Sequence, residues 1–161
     1  LRLTNFRNYE SFKLEIGTEP VVITGKNGTG KTNLLEAISF LSPGKGLRGA
    51  KLAEIDYFTP EAALRPFSLP WVVAARVRMP SGESHIGTGR EEKMGSDKRI
   101  VKIDGEQQRG TSSLGKVFAS LAVTPMMDRV FVDGITARRN YLDSLVESFN
   151  AEHRKHLFSY T

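Results

Sequence analysis

The sequence contains no cysteine among its 161 residues. Disulfide bonds and thiolate metal sites are therefore excluded, and the composition fits a reducing cytoplasm. No apolar run approaches the roughly 20 residues that a membrane helix needs, and no signal-peptide pattern opens the chain. A strong charge of one sign is also missing. The 23 lysines and arginines against 18 aspartates and glutamates give a net charge of +5, which suits a polyanionic partner and equally an ordinary basic surface.

The first third of the chain reads as three strands, a loop and a helix. Apolar and polar residues alternate at positions 1–4 and 11–16, which predicts two half-buried strands. The continuous apolar run at positions 21–23 predicts a strand covered on both faces, as in a mainly parallel sheet. Beyond the glycines, the apolar residues Leu34, Leu35, Ile38 and Leu41 recur at helical spacing, which predicts a helix. Ser42-Pro43-Gly44 is expected to end that helix.

The middle of the chain, residues 70–110, predicts an antiparallel β-lobe. Every second residue of 71–79 is apolar, and Arg76 and Arg78 lie on the other face, which predicts a half-buried strand. Two shorter strands are expected at 84–90 and 99–103, and Asp104-Gly105 is typical of a hairpin turn. The charged stretch at 91–98 has no apolar face, so we expect a loop tip there. An amphipathic helix is expected from Thr136 toward the end of the chain.

A glycine-rich loop lies between the apolar run and the first helix. Gly25, four residues, Gly30, Lys31 and Thr32 match the spacing of a phosphate-binding loop. Glycines permit backbone amides to converge on a phosphate, and the start of the following helix adds free amides and a positive dipole end. Lys31 would reach the β- and γ-phosphates, and the Thr32 hydroxyl would ligate Mg²⁺. The pattern therefore predicts nucleotide binding with Mg²⁺.

Several stretches together resemble the RecF family, bacterial recombination-repair ATPases related to the SMC group. They are "LRLTNFRNYESFKLEI" and "GKNGTGKTNLLEAISFLSPGKGLR", followed in the family's order by "KIDG", "VTP" and "ARRNYLD". The resemblance implies an ABC-type ATPase that binds ATP and duplex or gapped DNA and dimerises around two nucleotides. It also implies work with RecR and RecO in loading the recombinase during DNA replication, recombination, repair and the SOS response, in the cytoplasm.

The resemblance also implies which residues hold the nucleotide. These are Gly25, Lys26, Asn27, Gly28, Thr29, Gly30, Lys31 and Thr32, with Arg7 of "FRNY" nearby. Weaker candidates for DNA phosphates come from the basic residues themselves, which are Arg48, Lys51, Arg138 and Arg139. For each of these an ordinary solvated surface is the alternative.

Some parts of an ABC-type site are not found. The nearest imitation of the acidic motif is "RVFVDG", where Gly134 follows Asp133 in place of a glutamate, and "SSLG" at 112–115 is a poor signature. Leu121 stands about where a Q-loop glutamine is expected. We assign no catalytic residue, and no metal site to protein side chains alone, although His153 and His156 lie three residues apart.

These observations predict an α/β P-loop NTPase half-domain of the ABC/SMC type with an attached antiparallel β-lobe, the N-terminal part of a RecF-like protein. Residues 1–50 would hold the first strands, the phosphate loop and the first helix, 51–110 the β-lobe, and 111–161 a return segment and the last helix. The alternatives are another SMC-like ATPase, a small-molecule kinase or GTPase, and a non-catalytic DNA-binding module. Without the acidic pair, weak nucleotide binding and little hydrolysis are expected of this chain.

Overall fold

The computed structural model describes residues 1–58, 69–93, 96–124 and 134–149. The strands are β1 (Arg2–Phe6), β2 (Tyr9–Lys13), β3 (Val72–Met79), β4 (Gly82–Lys93), β5 (Ser96–Ile103) and β6 (Glu106–Gln107). The α-helices are α1 (Lys31–Ser39) and α2 (Ile135–Phe149), and short 3₁₀ helices span Leu52–Ile55 and Thr111–Lys116. None of the helices in these ranges combines the length and the apolar character that a membrane crossing requires.

The six strands form one antiparallel sheet in the order β2-β1-β3-β4-β5-β6. The lobe strands β3 to β6 therefore continue the N-terminal hairpin instead of forming a separate sheet. Because side chains alternate between the faces of a strand, the register sends Leu3 and Val73 to one face and Arg2 and Ala74 to the other. In the described part of the chain, α1 covers the first face and the second is left open.

The core lies between the covered face of the sheet and α1. Three aromatic side chains stand at its centre: the ring of Phe6 lies 6.0 Å from that of Phe40 and 5.7 Å from that of Trp71. The indole N–H of Trp71 donates to the Leu52 carbonyl at 2.9 Å, so the one polar atom of the ring is satisfied. Leu34 and the other apolar residues of α1 that face the sheet complete this core.

An arginine of β5 fastens the end of α1 to the sheet. The Arg99 guanidinium donates to the carbonyls of Phe40 and Gly44 and lies 4.9 Å from the centre of the Phe40 ring, while its Nε donates to the Thr88 hydroxyl at 2.8 Å. Carbonyls at a helix C-terminus lack partners within the helix and carry partial negative charge. Arg99 therefore satisfies the Phe40 carbonyl at the end of α1, binds the Gly44 carbonyl beyond it, and ties this end of the helix to the sheet.

The α/β P-loop fold class is confirmed, and α1 and α2 lie where the sequence patterns predict them. The second strand, expected at residues 11–16, instead spans Tyr9–Lys13. The alternation at 71–79 is also confirmed, since Trp71 and Val73 are buried and Arg76 and Arg78 are exposed. Within α1, Leu34 is buried as expected, but Leu35 is 50% exposed. The helix turns Glu36 toward the core instead, because that carboxylate has partners there.

The predicted buried strand at residues 21–23 is wrong. No strand spans these positions, and the side chain of Val22 is 84% exposed. A strand of a parallel sheet needs neighbours on both sides and cover on both faces. The sheet in the described part of the chain is antiparallel throughout, so it offers this apolar run no parallel neighbour.

The predicted loop tip at 91–98 is also wrong over most of its length. Strand β4 continues to Lys93 and β5 begins at Ser96, and only residues 94 and 95 lie outside the described residues. Charge pairing across the hairpin replaces the missing apolar face. Glu91 stands opposite Lys98, and the buried Arg90 donates to the Asp97 carboxylate at 2.5 Å.

Two glycines of β4 provide a test of how closely the strands pack. A methyl group at Gly89 would lie 2.7 Å from the Trp71 carbonyl oxygen, whereas one at Gly87 would meet nothing closer than 3.9 Å. We expect Gly89→Ala to lower the free energy of unfolding by about 1–3 kcal/mol, because backbone must move to admit the methyl. Gly87→Ala, two residues away on the same face, should be neutral or slightly stabilising. Urea unfolding of both variants measures the difference, and equal losses would contradict the register.

Candidate functional site

The phosphate-type loop is pre-shaped by three glycines with positive φ. Gly25, Gly28 and Gly30 have φ values of 151°, 84° and 100°. Two features exclude a side chain at position 30. The backbone there is left-handed, and a Cβ would come within 2.5 Å of the Asn8 amide. The Thr29 hydroxyl donates to the Lys26 carbonyl at 2.9 Å and closes a turn inside the loop. The loop therefore holds a defined shape.

Helix α1 begins directly after Gly30 with an open N-terminus. Gly30 offers no side-chain cap, and the first turn contains no acidic residue. An acidic side chain is normally favourable at this position, and it would repel an anion. Its absence leaves the first amides of the helix and the positive dipole end available to an anionic ligand.

Lys31 bends over the loop. Its ammonium donates to the carbonyls of Gly25 and Lys26, each at 2.7 Å. An ammonium group carries three protons, so one donor is left without an acceptor among the described residues. Thr32, the next residue of the same turn, is exposed. Both side chains thus lie at the loop, as their spacing predicts.

Residues of the β1–β2 turn hold the phosphate loop through hydrogen bonds. The Asn8 amide donates to the Thr29 carbonyl at 3.2 Å and accepts from the Asn33 amide at 2.8 Å. The Tyr9 hydroxyl donates to the Gly30 carbonyl at 3.2 Å, and burial raises the pKa of this phenol. Two hydrogen bonds therefore join the hairpin to the loop, and a third joins it to α1.

A fully buried carboxylate, Glu36, joins α1 to the same turn. Arg7 donates to both of its oxygens, at 3.0 and 2.9 Å, and Arg48 adds a third bond at 3.0 Å. Arg7 also donates to the Glu54 carbonyl at 2.7 Å, and its backbone is left-handed, with φ 55°. A non-glycine residue adopts that conformation at some cost, and here it aims the guanidinium at Glu36.

These contacts bear on the predicted site residues outside the loop. The proximity of Arg7 to a nucleotide stays a prediction, since its guanidinium is engaged by Glu36 and the Glu54 carbonyl. Arg48, a candidate for DNA, is held by Glu36 and by the Asn33 side chain at 2.9 Å. The side chains of Lys51, Arg138 and Arg139 are exposed.

Sequence reasoning missed Glu36, Asn8, Tyr9 and Asn33. A signal existed for Glu36, because it precedes the buried Phe40 by four residues and so falls on the same side of α1. The other three belong to stretches already singled out, but nothing in their spacing shows that one stretch supports the other.

The remaining predictions concern metals and catalysis. No three acidic, histidine or cysteine side chains in the described ranges come together in a way that could hold a metal ion. His153, His156 and Asp133 lie outside the described residues, and "SSLG" falls within the 3₁₀ helix Thr111–Lys116.

Comparison with known proteins agrees with this geometry. A family model described as "AAA domain" matches residues 1–134. "DNA replication and repair protein RecF" of Caulobacter vibrioides is 44% identical over 149 residues, which cover 91% of this chain and 37% of that protein. The protein of the same description from Allorhizobium ampelinum is 40% identical over 153 residues, or 95% and 39%. The chain thus spans about two-fifths of the length of these relatives.

Solved structures extend the likeness to three dimensions. One is described as "Structure of the recombination mediator protein RecF-ATP in RecFOR pathway", and it superposes with a TM-score of 0.82 at 29% identity, over 99% of this chain and 40% of that one. A second, with ATPrS in place of ATP in its description, gives the same values. The resemblance to RecF seen in the sequence is confirmed.

The unequal exposure of the two arginines on Glu36 generates a prediction. Arg7 is 20% exposed and Arg48 is 41% exposed, and both bind the same buried carboxylate. Lysine cannot make a two-pronged contact with a carboxylate, so Arg7→Lys should lower the free energy of unfolding by about 2–3 kcal/mol. Arg48→Lys should cost less than about 1 kcal/mol, since water screens the more exposed contact. Urea unfolding compares them, and a larger loss for Arg48→Lys would refute this ordering.

Proposed function

The chain belongs to the AAA domain family, and from that membership and the geometry of the loop we propose that it binds ATP as the nucleotide-binding part of a RecF-type DNA replication and repair protein. The relatives and solved structures that bear the RecF name support this choice over a kinase or GTPase. The wider activity is inferred by likeness, because the chain covers only about two-fifths of those proteins.

A single observation carries the proposal: the loop already has the form that a phosphate needs. Three left-handed glycines, an uncapped helix start and an ammonium with a spare donor converge at residues 25–32. Backbone amides in such a concave loop bind phosphate oxygens, and the lysine adds a charge-assisted bond. In this proposal residues 25–31 hold the nucleotide phosphates.

The metal belongs to the proposal as well. Thr32 would supply a hydroxyl oxygen to Mg²⁺, which usually takes one or two protein ligands, phosphate oxygens and water. The bound ion would neutralise phosphate charge. Thr32 is exposed in the first turn of α1, where its hydroxyl can reach a ligand held by the loop.

Duplex or gapped DNA would be the macromolecular partner, with RecR and RecO as protein partners and an ATP-dependent homodimer as the working state. These follow from likeness to proteins described as acting in the RecFOR pathway. Rapid ATP hydrolysis by this chain alone is not part of the proposal, because no acidic pair or signature was identified in the sequence.

Titration of a fluorescent ATP analogue with Mg²⁺ tests the proposal. We expect Lys31→Ala to weaken binding by about 10- to 100-fold, since a charged hydrogen bond is worth roughly 1.5–3 kcal/mol. Lys116→Ala is the matched control, because it removes an exposed lysine from a different element. It should bind the analogue as the unsubstituted chain does.

Both variants are checked for an unchanged unfolding midpoint before titration. Equal affinity of Lys31→Ala and Lys116→Ala, or no binding by the unsubstituted chain, would contradict the assignment of the loop. Loss of the Mg²⁺ dependence in Thr32→Val, with binding of metal-free nucleotide kept, would support the assignment of the metal ligand.

A further inference from the structure

The open face of the sheet carries a groove of about 830 Å³ that the phosphate loop does not use. It runs from the end of β2 across β1, β3 and β4 to β5, on the face opposite α1. Four cationic side chains line it, Arg2, Lys13, Arg76 and Lys102, against one carboxylate, Glu15. The surface of the groove is therefore basic.

Strand register sets how these cations are arranged. Arg2 stands opposite Lys13 on one side and Ala74 on the other, Ala74 is opposite Gly87, and Gly87 is opposite Lys102. Within this single row across the sheet, Arg2 and Lys102 thus flank the two smallest residue types. Three strand spacings separate Arg2 from Lys102, which is roughly 14 Å between backbones.

The two cations that flank this floor are free to bind a ligand. Arg2 and Lys102 are exposed, and within the described part of the chain neither side chain has a hydrogen-bond or ion-pair partner. Lys13 is paired with Glu15 at 2.6 Å, and Arg76 lies 3.7 Å from Glu83, but these pairs are exposed and contribute little. Arg48, by contrast, is already held by Glu36.

We propose that this groove binds the phosphate backbone of duplex DNA. That the ligand is DNA rests on the proposed function, whereas the location of the binding site and the preference for a duplex are inferred from the groove. Arg2 and Lys102 stand about 14 Å apart, a separation that suits the two phosphate backbones that border a DNA groove about 12 Å wide. Proteins that bind single strands place bases on aromatic side chains. No phenylalanine, tyrosine or tryptophan lines the groove among the described residues.

Such a surface positions DNA without reading its sequence. Contacts between lysine or arginine and phosphate release counterions, so affinity falls steeply with salt and depends little on base sequence. The chain would then use opposite faces of one sheet for its two ligands, with α1 and the phosphate loop on the covered face.

The test measures binding of a labelled duplex to the full chain by fluorescence anisotropy between 50 and 200 mM salt. The test variant is Arg2→Gln with Lys102→Gln, which removes both unpaired cations and leaves the core untouched. The control is Lys45→Gln with Lys116→Gln, which removes the same charge from exposed lysines of the layer that covers the other face. The unfolding midpoint and affinity for the ATP analogue are measured for each protein.

We expect the test variant to bind the duplex roughly tenfold more weakly and to lower the slope of log affinity against log salt by about 2. ATP-analogue binding and the unfolding midpoint should be unchanged, and the control should bind the duplex as the unsubstituted chain does.

Three results would overturn the proposal. If the test variant binds the duplex as tightly as the unsubstituted chain, the groove is not the DNA site, although the proposed function still stands. If the control variant loses as much duplex affinity as the test variant, net charge alone is responsible. If the unsubstituted chain binds single-stranded DNA or polyglutamate as tightly as the duplex, duplex DNA is not its specific ligand. If the unsubstituted chain binds no DNA while it binds the ATP analogue, both the groove and the DNA part of the proposed function fail.

Discussion

The buried carboxylate of Glu36 is the constraint on which the rest of the structure depends. Removing a carboxylate from water is costly unless cations and hydrogen bonds replace the solvent, and here Arg7 and Arg48 make three bonds to it. Hydrophobic residues of similar size could stabilise such a core as well, but they would not fix directions. The carboxylate fixes the rotation of α1, the orientation of the β1–β2 turn and the path of the chain near Arg48. These three segments are therefore held in one arrangement around the phosphate loop.

The alternation of side chains along a strand allows the sheet to serve two surfaces. In β1, Leu3 is buried against α1 while its neighbour Arg2 points into the open groove. In β5, Arg99 binds the Phe40 carbonyl at the end of α1 while Lys102 lines the groove. A slip of one residue in strand pairing would exchange these faces, so register alone decides whether the cations hold a helix or meet solvent.

Local signals made much of this structure predictable, and long-range pairing made the rest unpredictable. The loop spacing, the helical repeat of α1 and the alternation of β3 depend on neighbours in the sequence, and all of these elements stand where they were expected. The prediction of a strand at 21–23 was wrong because an apolar run indicates that residues tend to be buried, but not that a parallel strand lies beside them. The full length of the β4–β5 hairpin was missed because its end pairs, such as Glu91 with Lys98, become visible only once the register is known. Glu36 was passed over because a charged residue in a helix is ordinarily exposed.

The phosphate loop keeps its shape even though the stretch before it forms no strand. In most βα units a loop of this kind is held from both sides, by the strand that enters it and by the helix that leaves it. Here the entering side is replaced by the β1–β2 turn: Asn8 holds the Thr29 carbonyl, Tyr9 holds the Gly30 carbonyl, and Asn8 fills the space that a side chain at position 30 would need. The "FRNY" stretch thus has a physical reason for its composition. Phe6 anchors it in the core, Arg7 binds the helix, and the next two residues shape the loop, so a turn more than 20 residues upstream in the chain pre-organises the site where the nucleotide would bind.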